Sequence, residues 1–174
     1  MENSEQKNLG AGDNIRPISI NTLDLISIID IETNGIAGKI LEIGVLRITK
    51  NFVIVEELEV RTNVAWPLVH PTHTPAQKPL GLYTEAEAIQ IMRNAIDRDV
   101  VFGYNLEYLR KLCGKFGYVL YKAVDMREHM AKKYKRDMLS LNSCALLWNI
   151  EEIDPCTALG DCATIYELMQ KESA

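Results

Sequence analysis

Long apolar runs are missing from this chain. No stretch reaches the roughly 18 apolar residues that a membrane span requires, so a transmembrane protein is not expected. No basic segment followed by an apolar one stands near the N-terminus, so secretion by a standard signal is not expected either. Histidine is scarce. His70 and His73 form the one close pair, and they sit in a proline-rich stretch, which reads as a polar loop rather than a zinc site. The four cysteines (Cys113, Cys144, Cys156 and Cys162) contain no C-x-x-C spacing. They read as reduced thiols in a cytoplasmic protein. There is no internal repeat and no low-complexity segment. Tryptophan is limited to Trp66 and Trp148. Both are expected to pack rather than bind, Trp148 because it ends the apolar run Ala145-Leu146-Leu147.

What is present is ordinary for one globular domain: 174 residues, 47% apolar and 25% charged. Residues 1–20 are polar and lack apolar periodicity, which predicts a flexible tail ahead of a domain over 21–174. The net charge of −5 hides an asymmetry. Arg110 to Arg136 holds nine Lys/Arg against two acids, and the rest of the chain carries −12. That run, Lys132-Lys133-Tyr134-Lys135-Arg136 above all, suits phosphate contacts, with Tyr134 or Tyr104 for base stacking. On charge alone, a solvated helix face is the favoured reading of it.

The apolar, β-branched run Leu25–Ile29 predicts a buried central strand, broken at Thr33-Asn34-Gly35. Lys39–Thr49 and Phe52–Arg61 predict two more strands, paired antiparallel across a short turn. Helical spacing covers Thr84–Asp97, with Thr84 as N-cap. Short strands are predicted at Val100–Phe102 and Tyr121–Val124. Helices are predicted over Leu106–Phe116, Met126–Tyr134, Leu141–Trp148 and, opened by Asp154 as N-cap and Pro155 at the first position, from Cys156 to Gln170. Three leading strands followed by alternating helices and strands give an α/β domain with a mixed sheet covered by helices.

Asp30-Ile31-Glu32 closes the first strand. Alternation sends both carboxylates to one side, roughly 6–7 Å apart along the backbone. Such a pair repels and loses hydration unless a cation neutralises it, and carboxylate oxygens suit Mg²⁺ or Mn²⁺. A strand end with both acids in water is the other reading. Asp161, placed in the second turn of the last helix, by itself fits a helix-dipole role.

The string Ile28-Ile29-Asp30-Ile31-Glu32-Thr33-Asn34-Gly35, with Ile40-Leu41-Glu42-Ile43-Gly44 after it, resembles the first motif of the DnaQ-like (DEDDh) 3′–5′ exonucleases: an apolar run, D-x-E-T-x-G, then I-x-E-I-G. Phe102-Gly103-Tyr104-Asn105-Leu106-Glu107-Tyr108-Leu109 resembles the family's second motif, A-H-N-x-x-F-D, with Leu109 where the family has aspartate. Glu107 is close in sequence but lies about 200° around the helix from it. Cys156-Thr157-Ala158-Leu159-Gly160-Asp161 resembles H-x-A-x-x-D, with Cys156 in place of the general-base histidine.

The resemblance implies a ribonuclease H-like mixed five-stranded sheet with helices on both faces. It implies Asp30, Glu32 and Asp161 as metal ligands and catalytic residues, with Cys156 at the position of the base. It also implies Thr33, Asn34, Gly35, Tyr104, Asn105 and Tyr108 as nucleic-acid contacts beside the basic run of Lys132, Lys133, Lys135 and Arg136. Single-stranded DNA or RNA is the implied partner, with a protein partner possible. One Mg²⁺ or Mn²⁺ site is expected. The second ion of the family's two-ion mechanism lacks a ligand at Leu109, so catalysis should be reduced or lost. The rival reading is a non-catalytic nucleic-acid- or protein-binding module on the same fold.

Overall fold

The computed structural model describes residues 25–35, 38–65, 81–136, 139–151, 153–154 and 157–173. The tail over 1–20, Trp66, His70, His73 and Cys156 lie outside the described residues.

The described chain forms β1 (Leu25–Thr33), β2 (Ile40–Thr49), β3 (Ile54–Arg61), α1 (Glu85–Ile96), β4 (Val100–Gly103), α2 (Leu106–Gly114), β5 (Ala123–Asp125), α3 (Met126–Tyr134), α4 (Leu141–Leu147) and α5 (Ala158–Ser173). The strands make one sheet of order β3-β2-β1-β4-β5. β1 and β2 pair antiparallel, as do β2 and β3. β4 joins β1 in parallel, and β5 joins β4 in parallel. This is the α/β, ribonuclease H-like mixed sheet that the motif resemblance implies. No helix among the described residues is long and apolar enough to cross a membrane.

β1 is central because it is apolar on both faces. Ile29 and Ile31 enter a core layer under α1 and α2, with Met92, Leu106 and Leu109. Ile28 enters the other layer, with Met130, Cys144, Ile165 and Leu168 of α3, α4 and α5. Full burial of each such side chain contributes roughly 1.5–3 kcal/mol. Alternation therefore turns Asp30 and Glu32, in phase with Ile28, toward the α5 side. Trp148 packs against that layer, as its apolar context predicts.

Most elements fall where the sequence puts them. Thr84 caps α1 in a full capping box with Glu87. β3 starts two residues late because Phe52 sits in a turn at φ 58°. α2 gives way at Gly114 to a turn that ends at Gly117.

The start of α5 is a larger correction. Asp154 does not cap it: its backbone is left-handed, at φ 46°, and not in the extended region a capping residue adopts. The helix begins at Ala158, and the Thr157 hydroxyl accepts the Gly160 N–H at 2.9 Å. Asp161 thus falls in the first turn of α5 rather than the second.

Candidate functional site

β1 ends at the sheet's upper rim, and α5 starts beside it. The two bring Asp30, Glu32 and Asp161 together, with one oxygen from each carboxylate within 4.8 Å of the others. All three side chains are partly buried. Residues 131 positions apart in the chain meet here because β2 carries α5 on the face that Asp30 and Glu32 share. Gly44 makes that approach possible. A Cβ on it would stand 2.4 Å from the Ala158 carbonyl carbon and 2.5 Å from the Leu159 nitrogen. Any side chain there would push the helix start off the sheet.

Burial raises the Asp30 carboxyl well above the ordinary carboxylate range, and the charges of Asp161 and Glu32 push it the same way. Glu42 adds to the rise, and the Ile31 N–H opposes it. The thiol of Cys162, behind the cluster, is raised by burial and by Asp30 and Asp161. An all-oxygen donor set of three acids with this mutual repulsion fits a hard divalent cation.

Thr33, Gly35 and Tyr108 are also brought together. The Tyr108 hydroxyl lies 2.8 Å from Thr33 Oγ1 and 3.1 Å from the Gly35 carbonyl oxygen, so α2 holds the segment that follows Glu32. Asn34 Oδ1 accepts the Lys39 N–H at 2.7 Å and folds the same segment back on itself. Gly35 sits at φ 139°, a conformation that side chains rarely adopt.

Asn105 stands just ahead of α2 in a left-handed conformation, φ 63°. Its N–H and that of Leu106 donate to the Asp125 carboxylate, which also takes the Arg127 N–H. One acid thereby caps both α2 and α3. Sequence reasoning missed this role for Asp125; an aspartate directly ahead of the helix predicted from Met126 was the local signal for it.

Other expected residues stand elsewhere. Tyr104 is buried, and its hydroxyl donates to the Leu139 carbonyl at 2.8 Å with Cys144 Sγ 3.1 Å away. Burial drives its ionisation far upward, with the Cys144 thiol acting the same way. Leu109 is 2% exposed, in the core layer under α1 and α2. Glu107 points to solvent and pairs with Lys111 at 2.8 Å.

Lys133 of the basic run is tied to the C-terminal end of α5. Lys133 pairs with Glu172 at 2.7 Å and lies over the Trp148 ring. Glu172 follows Asp161 by eleven residues on α5, about 16 Å along the helix axis. Lys132, Lys135 and Arg136 are exposed at that same end of α3, where Lys135 ends the helix.

No family model matches the chain, and no curated protein matches it by sequence. Solved structures do match by fold. Apo exonuclease I superposes over 84% of this chain with a TM-score of 0.61 at 15% identity. The complex of E. coli exonuclease I with a dT13 oligonucleotide matches over 87% of this chain, with a TM-score of 0.65 at 14% identity. The zinc-bound complex of E. coli exonuclease I with single-stranded DNA matches over 85%, with a TM-score of 0.62 at 14% identity. The shared region covers 40–41% of each of those chains, so this chain spans about two-fifths of their length. At such identities the likeness establishes the exonuclease-type fold, in keeping with the DnaQ-like motif resemblance.

Proposed function

We propose that the chain is a 3′–5′ exonuclease-type domain that holds one Mg²⁺ or Mn²⁺ between Asp30, Glu32 and Asp161. It engages the end of a single-stranded DNA or RNA at that ion, with phosphodiester hydrolysis reduced or lost. The convergence of three carboxylates within 4.8 Å carries this reading. The fold shared with exonuclease I, solved with a dT13 oligonucleotide, supports the choice of ligand. The buried free thiols of Cys113, Cys144 and Cys162 support a cytoplasmic setting.

A divalent cation held by Asp30, Glu32 and Asp161 would supply Lewis-acid charge for phosphodiester chemistry. The chain's own part is to supply charge and order. Asp30 and Glu32 come from a rigid central strand, Asp161 comes from the first turn of a packed helix, and Tyr108 holds the segment after Glu32 in place. Leu109 offers no oxygen, so a second ion lacks the ligand that the family motif has at that position. Cys156 replaces the histidine base. Loss of a general base alone costs roughly 10²–10⁴ in rate.

The burial of Leu109 among apolar side chains favours a second reading, a non-catalytic binding module for nucleic acid or a protein partner. The test uses a labelled single-stranded oligonucleotide with Mg²⁺ or Mn²⁺ and compares the chain with Asp30→Ala. Degradation lost in the variant supports an enzyme. Cation-dependent binding without degradation supports the module. No cation-dependent binding or cleavage by either protein overturns both.

A further inference from the structure

Glu42 is fully buried in the sheet and stands outside the cluster of Asp30, Glu32 and Asp161. It lies on β2 opposite Glu32 on one side and Arg61 on the other. One of its oxygens accepts the Ala158 N–H, the first of α5, at 2.9 Å across 116 residues of sequence. The other oxygen stands 3.5 Å from Arg61 Nε. Gly44, two residues on and on the same face, leaves no room for a Cβ beside the Ala158 carbonyl group and the Leu159 nitrogen. Glu42 and Gly44 thus form a seat for one turn of helix, and Asp161 hangs from that turn. Its own N–H donates to the Thr157 carbonyl at 3.0 Å. Helix starts leave N–H groups unsatisfied and favour an anion, which accounts for a carboxylate buried at this point.

We propose that Glu42 is a positioning residue. By pinning the Ala158 N–H it fixes where Asp161 stands relative to Asp30 and Glu32, and so it sets the affinity of the cluster for a divalent cation without ligating it. The inference rests on the metal-site reading above. It makes a claim that a simple charge effect does not. A carboxylate acting only through its field would be lost in Glu42→Gln and kept in Glu42→Asp. A geometric seat behaves the other way: glutamine keeps an oxygen at the right reach for the Ala158 N–H, and aspartate is one methylene too short.

The experiment is Mn²⁺ titration followed by the electron paramagnetic resonance signal of free Mn²⁺. It uses the chain, Glu42→Gln, Glu42→Asp and Asp30→Ala, with thermal unfolding of each as the check on folding. The expected order is near-native affinity for Glu42→Gln and about 10–100-fold weaker binding for Glu42→Asp, the usual cost of disturbing a group that orients a ligand. Native affinity in a folded Glu42→Asp, or a weaker Glu42→Gln than Glu42→Asp, overturns the seat and leaves the metal site standing. Should Glu42→Asp fail to fold, weakened binding by Glu42→Gln overturns the seat and native affinity in Glu42→Gln supports it. No Mn²⁺ binding by the unaltered chain, or binding unchanged in Asp30→Ala, overturns the metal-site reading and this inference with it.

Discussion

The acid cluster should destabilise the metal-free protein, and Asp30→Asn should relieve it. Two unit charges at the 4.8 Å upper limit of this cluster repel by about 0.9 kcal/mol in water and about 3.5 kcal/mol at an effective dielectric of 20. Asparagine at 30 removes two such pairs, those with Glu32 and Asp161. The cluster is partly solvated, so the lower part of that range applies, and keeping a proton on Asp30 caps the cost further. We expect a gain of about 2 kcal/mol in EDTA at pH 7, or roughly 4–8 °C in Tm for a domain of this size. The sign with pH follows from the raised Asp30 carboxyl. Between its unfolded pKa and the raised folded one, the folded state binds more protons, so stability falls as pH rises through that window. The advantage of Asp30→Asn should therefore shrink on acidification toward the ordinary carboxylate range. Saturating Mn²⁺ should reverse the ranking. It adds about 2.7 kcal/mol to the unaltered chain at a hundredfold excess over Kd and much less to the variant. The assay is differential scanning fluorimetry across pH, with EDTA or Mn²⁺. A Tm for Asp30→Asn below that of the unaltered chain in EDTA, with no response of either protein to Mn²⁺, refutes the reasoning.

Asp125→Ala removes the acceptor for three backbone N–H groups at two helix starts. It should cost about 2–3 kcal/mol, read as a lower urea midpoint at unchanged m-value. Tyr108→Phe should alter stability by less than about 1 kcal/mol but speed amide exchange over 33–35 and leave Mn²⁺ affinity intact. Leu109→Asp places a carboxylate in an apolar layer and should destabilise by about 3 kcal/mol. Combined with Cys156→His, it should raise oligonucleotide cleavage in whatever fraction remains folded. Glu172 is held below its usual pKa, burial opposing and Lys133 and His129 lowering. Its small contribution is present at neutral pH and lost as pH falls through that lowered value, so Glu172→Gln should narrow the stability gap between pH 7 and pH 3.

What was legible in the sequence was local. Leu25–Ile29 read as a buried central strand, and the D-x-E phase put its two acids on one side of it. Thr84 and Glu87 carried their own capping signal. Local preference yields where a distant partner outweighs it. Asp154-Pro155 has the chemistry of a helix start, but α5 begins at Ala158 because Glu42 and Gly44 hold that turn from across the sheet. Tyr104 matches a motif position, but its hydroxyl finds the Leu139 carbonyl and turns the ring inward. The basic run is dense in sequence and remote in space: α3 leaves the rim at Asp125 and carries Lys132 to Arg136 toward the end of α5. The acids converge through tertiary packing, which no window of residues encodes. The motif match foresaw that convergence only because it marks which distant segments meet. A phosphate chain entering at Asp30 would therefore meet the segment held by Tyr108 before any of those lysines. Neutralising Lys132, Lys135 and Arg136 together should then leave the affinity for a short oligonucleotide of about three nucleotides unchanged. A loss of more than tenfold would place the strand along α3 instead.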